Sequence, residues 1–177
     1  MDTEEVTREQ ILAIPQEKLP LLVVSRNLYS HLATEIVRQR GGPYNHYMMM
    51  IHPKKVASQD LLFREIPINN YLKGEHLLKL WSCPYWLGIK RQRFIREIEE
   101  GLKKPWWLRG YEWLQILGYK LHLEKWIQLP ILKVCSSWGD KIKILDSAYD
   151  LDNPTPEAIN EWCKTQQGYN SFKFIPD

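Results

Sequence analysis

No apolar run in this sequence approaches the roughly 20 residues that a membrane-crossing helix needs. The N-terminus, MDTEEVTREQ, is acidic and polar and lacks the apolar stretch of a secretory signal, so the chain is expected to be cytoplasmic as synthesised. Cysteine is scarce. Cys83, Cys135 and Cys163 are an odd number without C-x-x-C spacing, which excludes a disulfide framework and a sequence-local zinc site. A strong basic excess is missing too: 24 basic against 21 acidic side chains give +3, and nucleic acid is not an expected partner on charge alone. There is no repeat at solenoid periods, no P-loop, no G-x-G-x-x-G, no H-E-x-x-H, no G-x-S-x-G and no EF-hand loop. Neither a metal nor an organic cofactor is implied.

What is present is a chain of 177 residues, 44% hydrophobic and 12% aromatic, enough for one domain with a substantial core. Charge is uneven: Asp146 to Glu161 carries five acids and no Lys or Arg, which leaves the positive charge in the centre. Pro15 ends a short amphipathic helix over 5–14. Leu19 to Ser25 reads as a buried strand, and a helix over about 28–39 follows, stopped by Gly41-Gly42-Pro43. His46 to Ile51 reads as a second buried strand, with a turn at His52-Pro53-Lys54-Lys55 and a return over Val56 to Phe63. Ile66 to Tyr71 and Leu77 to Trp81 read as short extended segments, and Trp86 to Leu102 as a helix. Further helices are expected over 110–119, 135–145 and 156–165, the last capped by Thr155 with Pro156 at its first position. Phe172 to Ile175 closes the chain as an edge strand. The class is α+β, strands first and helices later.

Two residues distant in sequence have the chemistry of a nucleophile and its base. Cys135 sits between the apolar run Leu129–Val134 and a helix opening with Ser136 and Ser137. Helix-terminal N–H groups favour a thiolate there and can donate to an oxyanion formed on its attack. His46 opens a strand, and a strand holds an imidazole more rigidly than a loop does. Cys135 as a small buried hydrophobe and His46 as a hydrogen-bonded strand histidine are the competing readings. If the return strand pairs with Met48 to Ile51, residues 58–60 approach His46. Gln59 or Asp60 can then orient the ring, Gln59 without charge, and Ser58 is the remaining choice.

The run Leu19-Pro20-Leu21-Leu22-Val23-Val24, a helix, then Gly42-Pro43-Tyr44-Asn45-His46-Tyr47-Met48-Met49-Met50 and a hairpin resembles the opening of permuted papain-like cysteine hydrolases. This is the circularly permuted NlpC-type group that includes YiiX-like proteins and the lecithin:retinol acyltransferases. Asn45 stands where that family usually has Ser. Gly110 to Gly118 is similar to the family's Tyr-Asp segment, with Glu112 for Asp. Val134-Cys135-Ser136-Ser137 is similar to its Cys-Ser-Glu motif, with Ser137 for the acid, and Asn153 to Glu157 to its late Thr-Pro segment.

The resemblance covers about residues 19–162, leaving 1–18 as an N-terminal extension of a single domain, 1–177. It implies a permuted papain-like fold, a small antiparallel sheet packed with helices. It also implies Cys135 as nucleophile, His46 as base, and a third polar residue at Gln59 or its neighbours. Tyr111 and Ser136 would lie near the oxyanion. The activity implied is a thiol hydrolase or amidase acting through an acyl-enzyme on a peptide, peptidoglycan or lipid acyl substrate.

Five of the eight tryptophans, Trp81, Trp86, Trp106, Trp107 and Trp113, fall among the basic residues of the centre. Core packing and a solvated helix account for most of this. A substrate groove at Trp106, Trp107 and Trp113 is the functional alternative, and a non-catalytic protein binding through this face, nucleic acid included, is the other class of reading.

Overall fold

The computed structural model describes residues 3–31, 42–59, 62–83, 86, 88–106, 109 and 155–176. Seven strands form one mixed sheet: β1 (Glu4–Glu5), β2 (Leu21–Asn27), β3 (His46–His52), β4 (Lys55–Gln59), β5 (Phe63–Pro67), β6 (His76–Ser82) and β7 (Asn170–Phe174). Helices α1 (Arg8–Leu12), α2 (Ile89–Lys103) and α3 (Pro156–Thr165) accompany it. The spatial order is β1-β7-β6-β2-β3-β4-β5, antiparallel throughout except for the parallel β1–β7 pair. The α+β class follows directly.

The two apolar runs of the first third lie side by side in the middle of the sheet, Leu21 opposite Met50 and Ser25 opposite His46. They read as unbroken hydrophobic runs rather than alternations because both faces are covered. On one face Leu22, Val24, Tyr47, Met49 and Trp81 meet Phe94 and Ile98 of α2 and Ile159 and Cys163 of α3. On the other, Val23, Met48, Met50 and Leu80 meet Ile11 of α1, Leu19, Ile68 and Tyr71. Cys83 and Cys163 both belong to the first of these cores.

Several expected boundaries move, each for a local reason. The N-terminal helix shrinks to Arg8–Leu12, because Glu4 and Glu5 pair with β7 and Thr7 makes a capping box with Gln10. The return strand is split, β4 ending at Gln59 and β5 starting at Phe63. Ile68–Tyr71 is a 3-10 turn rather than an extended segment: Pro67 has no N–H for a ladder, and Asn69-Asn70 favours a turn. β7 is flanked by β6 and β1, so it is not the edge, and the sheet is larger and mixed where a small antiparallel one was expected. The last helix begins as expected, with Thr155 accepting from the Ala158 N–H and Pro156 in the first turn. The helices expected over 28–39, 110–119 and 135–145 fall on residues wholly or largely outside those described.

Residues 3–18 are packed against the rest of the molecule. Ile11 is buried, Gln16 donates to the Ile51 carbonyl, and Arg91 of α2 donates to the carbonyls of Gln16 and Leu19. A cavity of about 770 Å³ lies under this segment, lined by Ile11, Ile14, Leu19, Leu80, Cys83 and Trp86 among others.

At the far end of β3, His52 joins three elements. Its Nδ1 lies 2.5 Å from Glu65 of β5 and its Nε2 3.2 Å from Glu99 of α2, while Lys55 donates to Glu65 at 2.9 Å. Burial pushes the Glu65 carboxyl up, but the hydrogen bonds from His52 and Lys55 outweigh it and hold the group below its ordinary range. Such a carboxylate stabilises the fold above its unfolded pKa, and the contribution is lost as pH falls through the folded value. Glu65→Gln is therefore expected to flatten the loss of stability below about pH 5. The side chains are partly exposed, so the effect at neutral pH is about 0.5 kcal/mol. Thermal melts of both proteins from pH 3 to 7 check it, and parallel acid limbs would refute it.

Candidate functional site

The face of the sheet on which His46 lies follows from register. Met48 pairs with Ser58, and Met48 packs in the core containing Val23 and Tyr71, so His46, two residues earlier, shares a face with Ser58. The two meet. His46 Nε2 lies 2.8 Å from Ser58 Oγ, and Ser58 Oγ lies 3.1 Å from the Tyr71 hydroxyl. The Tyr71 ring stacks nearly parallel to His46, centroids 6.3 Å apart at 18°, and meets His76 of β6 edge-on at 5.1 Å. Ser58 is fully buried and Tyr71 nearly so, whereas His46 is half-buried. Ser25, opposite His46 on β2, is buried, and its Oγ has no partner among the described residues. His46 is thus held through Nε2 by a hydroxyl on the neighbouring strand.

Of the two described residues weighed for the third position, Ser58 and Gln59, Ser58 meets His46. Gln59 pairs with Phe63 and, with a side-chain period of two, lies on the face of the sheet opposite Ser58. Its Nε2 donates instead to the Arg109 carbonyl at 2.9 Å, which also accepts from the Phe63 N–H at 2.8 Å. Gln59 thereby ties residue 109 to β4 and β5. Asp60, Tyr111, Cys135, Ser136, Trp107 and Trp113 lie outside the described residues. Trp106 is 64% exposed, just beyond Lys103 and Lys104 at the end of α2.

The approach to His46 is fixed from α3. Glu157, in its first turn, is buried; its Oε2 accepts the Tyr44 N–H at 3.3 Å and its Oε1 accepts from Asn160 at 2.8 Å. Asn160 in turn accepts from Trp81 Nε1 at 3.2 Å. Gly42 fits here only because it has no side chain: a Cβ would lie 2.1 Å from Glu157 Cγ. Burial, helped by the carboxylate of Glu161, outweighs the hydrogen bonds from Asn160 and Tyr44 and holds the Glu157 carboxyl above its usual range. The Tyr44 phenol is pushed up to about 12, by burial first and then by Glu157. An acid raised in the folded state takes stability away as pH rises through its folded value, opposite in sign to Glu65.

Tyr71 and Glu157 carry little signal in the sequence. Tyr71 sits in a segment of extended appearance, where the Asn69-Asn70 pair was the available sign of a turn. Glu157 is an acid in a first helical turn, a position usually solvated, and nothing local marks it as buried.

Among the described residues no group of three His, Cys, Asp or Glu side chains is placed to hold a metal ion, and no helix is long and apolar enough to cross a membrane. No family model matches the chain, and no curated protein matches it.

Proposed function

We propose that the chain is a thiol hydrolase or amidase of the permuted papain-like type, with Cys135 as nucleophile and His46 as base. The observation that carries this reading is the setting of His46. It opens a central strand, half-buried, with Nε2 held 2.8 Å from the Ser58 hydroxyl on the neighbouring strand. An orienting group on one ring nitrogen and a nucleophile at the other is the arrangement that a Cys–His pair needs. The succession of apolar β2, His-led β3, hairpin and a late helix begun by Thr155-Pro156 is consistent with the same family.

In this reading His46 takes the Cys135 proton, and the thiolate adds to an amide or ester carbonyl. The oxyanion is met by the Cys135 N–H with help from Ser136 and Tyr111. Collapse expels the amine or alcohol, which takes the proton from His46, and leaves a thioester on Cys135. Water, deprotonated by His46, then attacks the thioester and releases the acid and the free thiol. A peptide or peptidoglycan stem peptide is the favoured substrate, with a lipid acyl ester as the other member of the class.

The test is alkylation of Cys135 by iodoacetamide as a function of pH, read by peptide mass spectrometry in wild type and His46→Ala. The expected result is reaction well below the free-thiol pKa of ~8.5, lost in the variant. A Cys135 that alkylates as an ordinary thiol in both proteins would remove the catalytic reading.

One observation favours a second reading. Trp106 is largely exposed beside Lys103 and Lys104, and Ile89 at the other end of α2 is 84% exposed. A non-catalytic binding face there predicts affinity for an anionic polymer that falls steeply with salt and is lost in Trp106→Ala.

A further inference from the structure

The N-terminal segment 3–18 has no part in the scheme above, yet it closes one end of the sheet over the cavity of about 770 Å³. We propose that this cavity binds a neutral, mainly apolar small molecule carrying one hydrogen-bond-accepting oxygen, such as a ketone or an ester. The Trp86 indole N–H is the donor that receives the oxygen.

The site is separate from the one around His46. Its walls include Leu21 at the start of β2 and Ser82 at the end of β6. His46 lies opposite Ser25, four residues further along β2, and His76 begins β6. The cavity and His46 therefore occupy opposite ends of the same strands, and the proposal does not depend on Cys135.

The interior is apolar. Ile11, Leu19, Leu80 and Trp86 are buried wall residues, and Ile14 and Phe172 are half-buried ones. The volume falls in the range of about 300–1,000 Å³ that small-molecule sites occupy. Close-packed interiors leave few voids larger than a water molecule, and here polar ties hold the covering segment in place. The Val6 N–H binds the Lys173 carbonyl at 3.0 Å, Arg8 reaches Asn69 at 2.6 Å, and Arg91 donates to the carbonyls of Gln16 and Leu19.

Trp86 supplies the polar anchor. It is 3% exposed, and its Nε1 has no partner among the described residues. Its ring is fixed edge-on against Tyr169, centroids 5.2 Å apart. A buried donor nearly always has an acceptor, and an oxygen on a guest in the cavity supplies one. Charge then decides the class of guest. The charged residues lining the cavity, among those described, are Glu4, Glu17 and Lys18, all exposed and with an acid in excess. A carboxylate drawn inside would find no cation to pair with, a costly burial that a ketone or ester avoids.

The experiment is proton–nitrogen NMR of the full chain, labelled with nitrogen-15 and titrated with methyl octyl ketone or, in parallel, with decanoate at neutral pH. Trp86→Phe identifies the Trp86 indole signal by its loss. The ketone is expected to move that signal downfield and saturably, together with the backbone amides of Ile11, Ile14 and Leu80. Decanoate should bind more weakly by about tenfold or more. Trp86→Phe should weaken the ketone by about fivefold, the worth of one neutral hydrogen bond. Ile14→Trp, which places bulk in the cavity, should abolish binding with the amide spectrum otherwise preserved; if that variant does not fold, the wild-type shifts and Trp86→Phe decide. An indole signal that does not move up to the solubility limit of the ketone would overturn the proposal. So would decanoate binding as tightly, unchanged affinity in Trp86→Phe, or shifts confined to another part of the molecule.

Discussion

Gly42→Ala is expected to destabilise the protein by about 1–3 kcal/mol, the range for forcing extra atoms into a packed site. The added Cβ would lie 2.1 Å from Glu157 Cγ and 2.4 Å from its Cδ and Oε2. A flexible carboxylate would ordinarily swing away at little cost. This one is buried and takes hydrogen bonds from the Tyr44 N–H and Asn160 Nδ2, so moving it leaves two donors unsatisfied. The alternative is to displace the backbone of 42–44, which leads straight into His46 on β3. Either relaxation reaches the candidate site, so Cys135 reactivity should fall together with stability. A double-mutant cycle identifies the cause. Glu157→Ala removes the atoms the new methyl would strike, and Gly42→Ala should then cost little more in that background, a coupling of about 1 kcal/mol or more. Additive losses in urea unfolding would show that the contact with Glu157 is not responsible.

The largest loss of stability is expected at Trp81. Trp81→Ala should cost about 3–5 kcal/mol, as large aromatic truncations in cores do, out of a total that for domains of this kind is about 5–15 kcal/mol. Trp81 is 1% exposed on the central strand β6, in the core shared with α2 and α3. Three things go with it: the packing of the ring, the N–H given to Asn160, and the aromatic surface under Lys79, whose Nζ lies 4.4 Å from the ring centre. Lys79 is buried, and burial first, then Lys164, holds its ammonium below the ordinary range, so losing its cover exposes a poorly solvated cation to a cavity. Trp81→Phe keeps an aromatic ring but loses the N–H and part of the indole's bulk, and should cost less, about 1–3 kcal/mol. Urea midpoints at unchanged m-value measure both. A Trp81→Ala loss below 1 kcal/mol would mean that α3 does not depend on β6 in the way described.

Much of the scaffold was legible because it is written in short-range patterns. The runs Leu21–Ser25 and Tyr47–Ile51 are apolar without alternation, which only a doubly covered strand tolerates. Thr155-Pro156 marks a helix start through a cap and a fixed φ, and the helix begins there. At the candidate site the sequence narrowed the orienting partner of His46 to three consecutive residues and went no further. The choice between Ser58 and Gln59 is a choice of sheet face, and a shift of one residue in register reverses it. That register depends on the irregularity between Met49 and His52 beside the hairpin turn, where Lys54 takes φ +63°.

The sequence by itself determined the α+β class, the two central strands, the start of the last helix and the place of His46 at the head of β3. These rest on periodicity, capping and turn chemistry, which act within a few residues. Only the tertiary structure decided that β7 lies inside the sheet, that Ser58 meets His46 while Gln59 ties down residue 109, and that Tyr71 and Glu157 are drawn in from 25 and 111 residues away. Strand order, register and burial on folding are properties of the assembled sheet, and no local window of sequence contains them.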